Sequence, residues 1–187
     1  MLSPARSTFD IPGWIDEEEA QVFAALLSSQ TSRGVHGDIL EVGVYHGRSA
    51  AVEATYLQPG EKLVLLDTFA YASTDDVWAN ISRVLPDLEC DSVEFWAMTS
   101  QDPSFPMREF RFAYIDGGHS TAEVLADLRT FGPMLMAEGI LVVDDYGGRQ
   151  WPGVTEGVDE FLADGEFGVI VDMDSSGGGR KLYMVRR

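Results

Sequence analysis

The sequence predicts an α/β fold: a doubly wound, mostly parallel, seven-stranded sheet with an antiparallel hairpin at its C-terminal end. Three observations carry this. Short apolar runs suited to buried strands alternate with segments of helical spacing, the pattern of a parallel sheet covered on both faces. Four of the five parallel candidates end in an acidic or glycine-rich turn, and open α/β sheets bind ligands outside the carboxyl ends of their strands. Hydrophobic residues make up 45% of the chain, enough for a core that buries roughly 70% of the unfolded surface without disulfides or metal. One domain spanning 1–187 is expected, with 1–37 as an N-terminal helical segment and 38–187 as the core.

The elements follow in order. Asp16 and Glu19 have the spacing of a capping box, and Val22, Phe23, Leu26 and Leu27 form one apolar stripe, which predicts a helix ending near 28–34. Residues 39–42 make a short buried strand that closes at Gly43, and a helix is expected over 48–57, stopped by Pro59 and Gly60. The second strand, 63–66, ends at Asp67. Val77, Trp78, Ile81, Val84 and Leu85 then give helical spacing up to Pro86. Strands at 93–96 and 112–115 follow, the latter ending at Asp116. Ser120 with Glu123 is a second capping box, opening a helix with Val124, Leu125, Leu128 and Phe131 on one face. The most apolar strand, 139–143, runs into Asp144 and Asp145. Val154, Val158, Phe161 and Leu162 place a helix over 154–163, and the runs 167–171 and 181–185 flank a Ser/Gly turn as a hairpin.

Charge excludes two classes of partner. Thirteen Lys+Arg against 31 Asp+Glu give −18 at pH 7, which repels phosphate backbones and anionic lipid, so neither nucleic acid nor membrane is expected. The basic residues are scattered apart from Arg180, Lys181, Arg186 and Arg187. The single cysteine, Cys90, allows no disulfide framework and suits a reducing compartment. With no apolar run of signal-peptide or membrane-span type, a cytoplasmic location is the expectation.

Three groups of residues point to chemistry. The turn from Glu41 to Gly47, with Gly43 at its centre, is not a GxGxxG fingerprint. Gly43 is expected to let a ligand approach the backbone, Gly47 to open a helix, and the acid to suit a cationic ligand; an ordinary tight turn is the alternative. Asp67, 24 residues after Gly43, stands where an acid accepts hydrogen bonds from ribose hydroxyls, or else caps a turn. Asp116, Asp144 and Asp145 end neighbouring strands, and such hard oxygen ligands suit Mg²⁺ or Ca²⁺. Adjacent strand residues point to opposite faces, so Asp144 and Asp145 converge only if the chain leaves the strand there; solvated loop charges are the alternative. His119, three residues after Asp116, has a side chain that takes a proton near neutrality, or else bonds a backbone carbonyl at a helix start.

Taken together, DILEVGVYHGRS, LVLLDTF, FAYIDGGHS and GILVVDDYGG resemble, in order and spacing, the class I S-adenosylmethionine-dependent methyltransferases. The likeness extends over 34–163 and is nearest to the macrocin and mycinamicin type of metal-dependent small-molecule O-methyltransferase, which implies a Rossmann-like fold. It implies S-adenosyl-L-methionine as cofactor, with Glu41, Gly43, Tyr45, Gly47 and Ser49 about its methionine portion. Asp67 and Thr68 would then hold the ribose, Thr99 and Ser100 would lie near the adenine, and Asp116 would be shared with the metal. It further implies Mg²⁺ on Asp116, Asp144 and Asp145, and His119 as general base, since Gly118 replaces the aspartate that the macrocin branch has there. His46 is expected to contact cofactor or acceptor, and His36 to be incidental. Trp151 and Tyr146 are candidates to line an acceptor pocket, whereas Tyr71, Trp78 and Trp96 read as core or cofactor wall.

The expected function is Mg²⁺-dependent methylation of a hydroxyl on a small-molecule acceptor, a sugar or a phenol. Two rivals are a cofactor-binding domain that needs a partner subunit and a different nucleotide-cofactor enzyme on the same fold. About 37 residues precede the first strand, where the resembling sugar enzymes carry longer segments or lids, so a homodimer is one way to complete the pocket.

Overall fold

A computed structural model describes residues 6–187. A 3-10 turn at Arg6–Asp10 leads into α1 (Glu17–Ser32). The predicted box forms there: Asp16 accepts from the Glu19 amide at 2.9 Å and Glu19 from the Asp16 amide at 2.8 Å. Next come β1 (Asp38–Val42), α2 (Arg48–Ala54), β2 (Leu63–Asp67), α3 (Thr74–Val84), β3 (Val93–Ala97) and β4 (Phe110–Ile115). The chain ends with α4 (Thr121–Phe131), β5 (Leu135–Tyr146), α5 (Pro152–Ala163), β6 (Phe167–Asp174) and β7 (Arg180–Arg186).

The seven strands form one sheet in the order β3-β2-β1-β4-β5-β7-β6. The first five in that order run parallel, and β7 lies antiparallel between β5 and β6. The hairpin of the sequence reading therefore forms with its second strand inserted inward. On one face Ile39, Leu65, Phe112, Val142 and Tyr183 pack under α1, α2 and α3; on the other Leu40, Leu66, Ala113, Leu141 and Leu182 pack under α4 and α5. Cover on both faces is why these strands read as unbroken apolar runs. The order turns at β1 and β4, and a crevice opens beyond their carboxyl ends.

The opposite end of the sheet is closed. Arg111 is fully buried and donates to both Glu61 oxygens at 2.8 Å, to Gln30 Oε1 at 3.1 Å and to the Tyr56 carbonyl at 2.8 Å. Such a fully bonded buried pair ties α1, the α2–β2 connection and β4 together. Two boundaries differ from expectation. α2 stops at Ala54 because the amides of Thr55, Tyr56 and Leu57 bond three residues back, which tightens the last turn. β5 starts at Leu135, since Phe110 pairs with Leu135 and Phe112 with Ile140 around a bulge holding Glu138 at φ 66°. No helix among the described residues is long and apolar enough to cross a membrane.

Candidate active site

A cavity of about 500 Å³ occupies the crevice, within the size range of small-molecule sites. Its floor begins at Gly43, whose φ is 87°; a Cβ there would sit 2.0 Å from the Asp116 carbonyl oxygen. The glycine's room is thus taken by the end of β4, where the sequence suggested a ligand, and this close approach brings β1 and β4 together. Tyr45 also has positive φ, 52°, and Asp67 holds it: Asp67 Oδ2 accepts from the amides of Val44 at 2.6 Å and Tyr45 at 3.2 Å. Asp67 Oδ1 accepts from the Phe69 amide at 2.7 Å and the Thr68 hydroxyl at 3.4 Å. A carboxylate offers about four acceptor sites, so Asp67 clamps the glycine turn and only the long Thr68 contact is readily exchanged for a ribose hydroxyl.

Of the expected cofactor residues, Gly43, Tyr45, Asp67, Thr68, Thr99, Ser100 and Asp116 line the cavity. Glu41, Gly47 and Ser49 shape it from behind. Gly47 caps α2 at φ 86° and packs on Val77, where a Cβ would come within 2.9 Å. Ser49 donates to one oxygen of the fully buried Glu41, whose other oxygen has no partner. Burial holds the Glu41 carboxyl well above the usual range against that hydrogen bond, with Asp116 and Asp67 adding to the effect. The sequence reading missed Gln101, which lines the cavity and donates to Asp127 Oδ1 at 2.7 Å. Burial pushes the Asp127 carboxyl up to about 6. A glutamine past a strand end has no spacing that would have marked it.

The acidic end is where the structure departs most from expectation. Lys181, from β7, is fully buried; it donates to Asp144 Oδ2 and to the Tyr114 hydroxyl at 2.9 Å, and lies 3.3 Å from Glu19 Oε1. The Tyr114 hydroxyl bonds Asp144 Oδ2 at 2.7 Å, with Asp116 Oδ2 at 3.1 Å, and Asp144 Oδ1 accepts from the Asp145 amide at 2.8 Å. Burial alone would raise the Asp144 carboxyl, yet the Lys181 ammonium holds it below the ordinary value. Asp116 is pushed up to about 8 by burial and then by the Asp144 charge.

Asp145 takes φ 60° and turns away from Asp144, placing Oδ2 3.1 Å from His119 Nε2. Of the expected metal set, Asp144 is engaged by Lys181, the Tyr114 hydroxyl and the Asp145 amide, so it stands apart from the other two aspartates. The groups that do converge are Asp116, His119 and Asp145, whose ligand atoms lie within 4.8 Å of one another. That mixed oxygen and imidazole set does not match the all-oxygen preference of Mg²⁺. Lys181 was passed over in the sequence as one of a few C-terminal basic residues.

His119 is one-third exposed on the cavity wall. The Asp145 hydrogen bond raises its pKa against the effect of burial, and the Asp145 and Asp116 charges add to the shift. The Trp151 ring stacks on the imidazole at 4.3 Å with the planes 12° apart.

Residues 40–146, more than half of the chain, match a family described as a methyltransferase domain. The chain belongs to that family. The cavity fits the S-adenosylmethionine on which this methyltransferase depends, since acidic residues line it and no lysine or arginine among the described residues does, which suits a sulfonium and an ammonium. No curated protein sequence matches the chain. Among solved structures it is similar to the O-methyltransferase NovP, with 18% identity, TM-score 0.76, and 90% of this chain and 79% of that one covered. It is also similar to an O-methyltransferase from Bacillus cereus in complex with SAH (18%, TM-score 0.71, 100% and 94%). A third likeness is to CalS11, described as a TDP-rhamnose 3'-O-methyltransferase of calicheamicin biosynthesis (20%, TM-score 0.67, 92% and 81%). At these identities the likeness concerns the fold.

The remaining aromatic and histidine positions of this methyltransferase sort by geometry. Trp151 lines the cavity, as does Tyr71, which is largely exposed and not core. Trp78 and Trp96 are half-buried, Trp96 against Phe105 at 5.2 Å. Tyr146 points elsewhere, its hydroxyl bonding Asp159 at 2.9 Å. His46 lies edge-on to Tyr45 outside the cavity lining, and His36 stands 3.1 Å from the Pro59 carbonyl, clear of the site.

Proposed function

We propose that this methyltransferase methylates a hydroxyl oxygen of a small molecule, with His119 as the general base. The observation that carries the reading is the His119–Asp145 pair on the cavity wall, close to Asp116. With Nε2–H donated to Asp145, the lone pair of the imidazole is on Nδ1, free to take the acceptor's proton as its oxygen attacks. Asp145 steadies the imidazolium that results, and stacking on Trp151 favours the same charged form. When bound, the cofactor supplies a methyl group activated on a sulfonium, and leaves as the neutral sulfide. Beside a sulfonium the Asp116 carboxyl, otherwise held up at about 8, gives up its proton more easily, so the cationic form gains a counter-charge that the product needs less. Gly43 and the Asp67-held turn fix the distance between the two reactants, so most of the acceleration comes from orientation.

The likeness in fold to NovP, CalS11 and the Bacillus cereus O-methyltransferase supports oxygen as the atom methylated. Lys181, Tyr114 and the Asp145 amide engage Asp144, so the proton transfer is assigned to His119 and Asp145 without a metal. The test is production of S-adenosylhomocysteine by purified protein from S-adenosylmethionine and a panel of hydroxyl compounds. Wild type is expected to turn over and His119→Ala to lose about 10²-fold or more near neutral pH. Folded protein that binds neither S-adenosylmethionine nor S-adenosylhomocysteine in a calorimeter would overturn the proposal.

A further inference from the structure

The cavity mouth carries a feature that methyl transfer alone does not require. Among the described residues, the large aromatic side chains left exposed are Trp14 (69%), Tyr71 (78%) and Trp151 (37%), and all three line this one cavity. Single exposed apolar residues are ordinary on protein surfaces, but three rings around one opening form a patch of the kind that meets a ligand. The placement of Trp14 is built into the fold. Its carbonyl accepts from the Ser176 hydroxyl in the β6–β7 turn, while Arg48 donates to the carbonyls of Ile11 at 2.6 Å and Ile15 at 3.1 Å on either side. Trp151 is fixed against His119, and Tyr71 stands edge-on to Tyr45 at 5.6 Å.

Charge narrows the ligand further. Among the described residues no Lys or Arg lines the cavity, whereas Glu123 and Asp145 do. Asp144 is paired with Lys181 and Asp67 accepts three backbone amides, whereas among the described residues neither Glu123 nor Asp145 is in an ion pair with a lysine or arginine, and the partner of Asp145 is His119, neutral when it serves as base. A cleft of one sign with low-dielectric walls focuses its field, so phosphate or carboxylate entering here is repelled and an amine attracted.

Resting on the O-methyl transfer reading, we infer that the acceptor is a hydroxylated aromatic ring without an anionic group, and is bound best when it carries a basic amine. The ring stacks among Trp14, Tyr71 and Trp151 with its hydroxyl toward His119. Acceptors carrying phosphates, nucleoside-diphosphate sugars included, are selected against.

The experiment uses the full chain saturated with S-adenosylhomocysteine, titrated with 3,4-dihydroxyphenethylamine, 3,4-dihydroxyphenylacetate and a nucleoside-diphosphate sugar. Binding is followed by calorimetry and tryptophan fluorescence. The amine is expected to bind about tenfold more tightly than the acid at low salt, the gap closing as salt is added, with the sugar nucleotide weakest. Trp14→Ala is expected to weaken amine binding about fivefold to tenfold while S-adenosylhomocysteine affinity stays within about twofold. Should Trp14→Ala not fold, Gln150→Arg, at an exposed position on the cavity rim, is expected to narrow the gap between amine and acid. Equal or tighter binding of either anion, no binding of either aromatic probe, or no change in Trp14→Ala overturns the acceptor assignment alone. Failure of S-adenosylhomocysteine to bind overturns the methyl-transfer reading and the inference with it.

Discussion

Lys181→Met keeps the stem of the side chain and removes the ammonium that serves Asp144, Tyr114 and Glu19. Lys181 and Asp144 are both buried, and removing one partner of a buried pair costs about 3–5 kcal/mol because the other charge is left uncompensated. At an unfolding entropy of about 2.1 cal/mol/K per residue, that loss lowers Tm by about 10 °C in a chain of this length. The pH dependence has a definite sign. Asp144 is held below its ordinary pKa, so its contribution is present above the unfolded aspartate value and lost as pH falls through the lower folded one. Lys181 is held above its ordinary value by Asp144, Glu19 and Asp116 despite burial, so its contribution is present below the unfolded lysine value and lost as pH rises through the folded one. In Lys181→Met the stranded Asp144 takes up a proton more easily, so its deficit shrinks as pH falls toward about 5. Calorimetric melts of both proteins at pH 7.5 and pH 5 measure this, and adding Asp144→Asn to the variant is expected to recover about 2 kcal/mol. A Tm within about 2 °C of wild type, or a deficit equal at both pH values, would refute the reasoning.

Asp145→Asn removes the hydrogen bond that chiefly raises His119, and the base must be neutral to act. The acidic limb of the kcat profile is therefore expected to move to lower pH in assays spanning pH 5 to 9, and an unmoved limb counts against the pair. Gly43→Ala places a Cβ 2.0 Å from the Asp116 carbonyl oxygen at φ 87°, and is expected to cost about 3 kcal/mol or prevent folding; an unchanged urea midpoint would show that β1 and β4 do not meet as described. Because Lys181 holds Asp144, methyl transfer is expected to survive exhaustive chelation; complete loss that Mg²⁺ restores would return the ion to the three aspartates. Asp67→Asn exchanges an acceptor of two backbone amides for a group with two donors, and S-adenosylhomocysteine affinity is expected to fall about tenfold by calorimetry.

What could be read from the chain is what short-range forces decide. The boxes at Asp16/Glu19 and Ser120/Glu123 are contacts between residues three apart, and they form as the spacing indicates. Burial of the strands on both faces leaves unbroken apolar runs, so their existence and their acidic ends at Asp67, Asp116 and Asp144 were legible, while the end of α2 and the start of β5 moved by a few residues. The partners of the charges were not legible. Asp144 and Asp145 are neighbours in sequence, yet one is paired with Lys181 and the other with His119. Lys181 reaches Asp144 only because β7 inserts between β5 and β6, and Glu19 joins them only because α1 covers that face. The rim is decided in the same way: Trp14 and Trp151, distant in the chain, come to one opening through Arg48, Ser176 and the turn after β5. Electrostatic and stacking interactions act through space, so their partners are set by topology, whereas capping and apolar periodicity act along the chain.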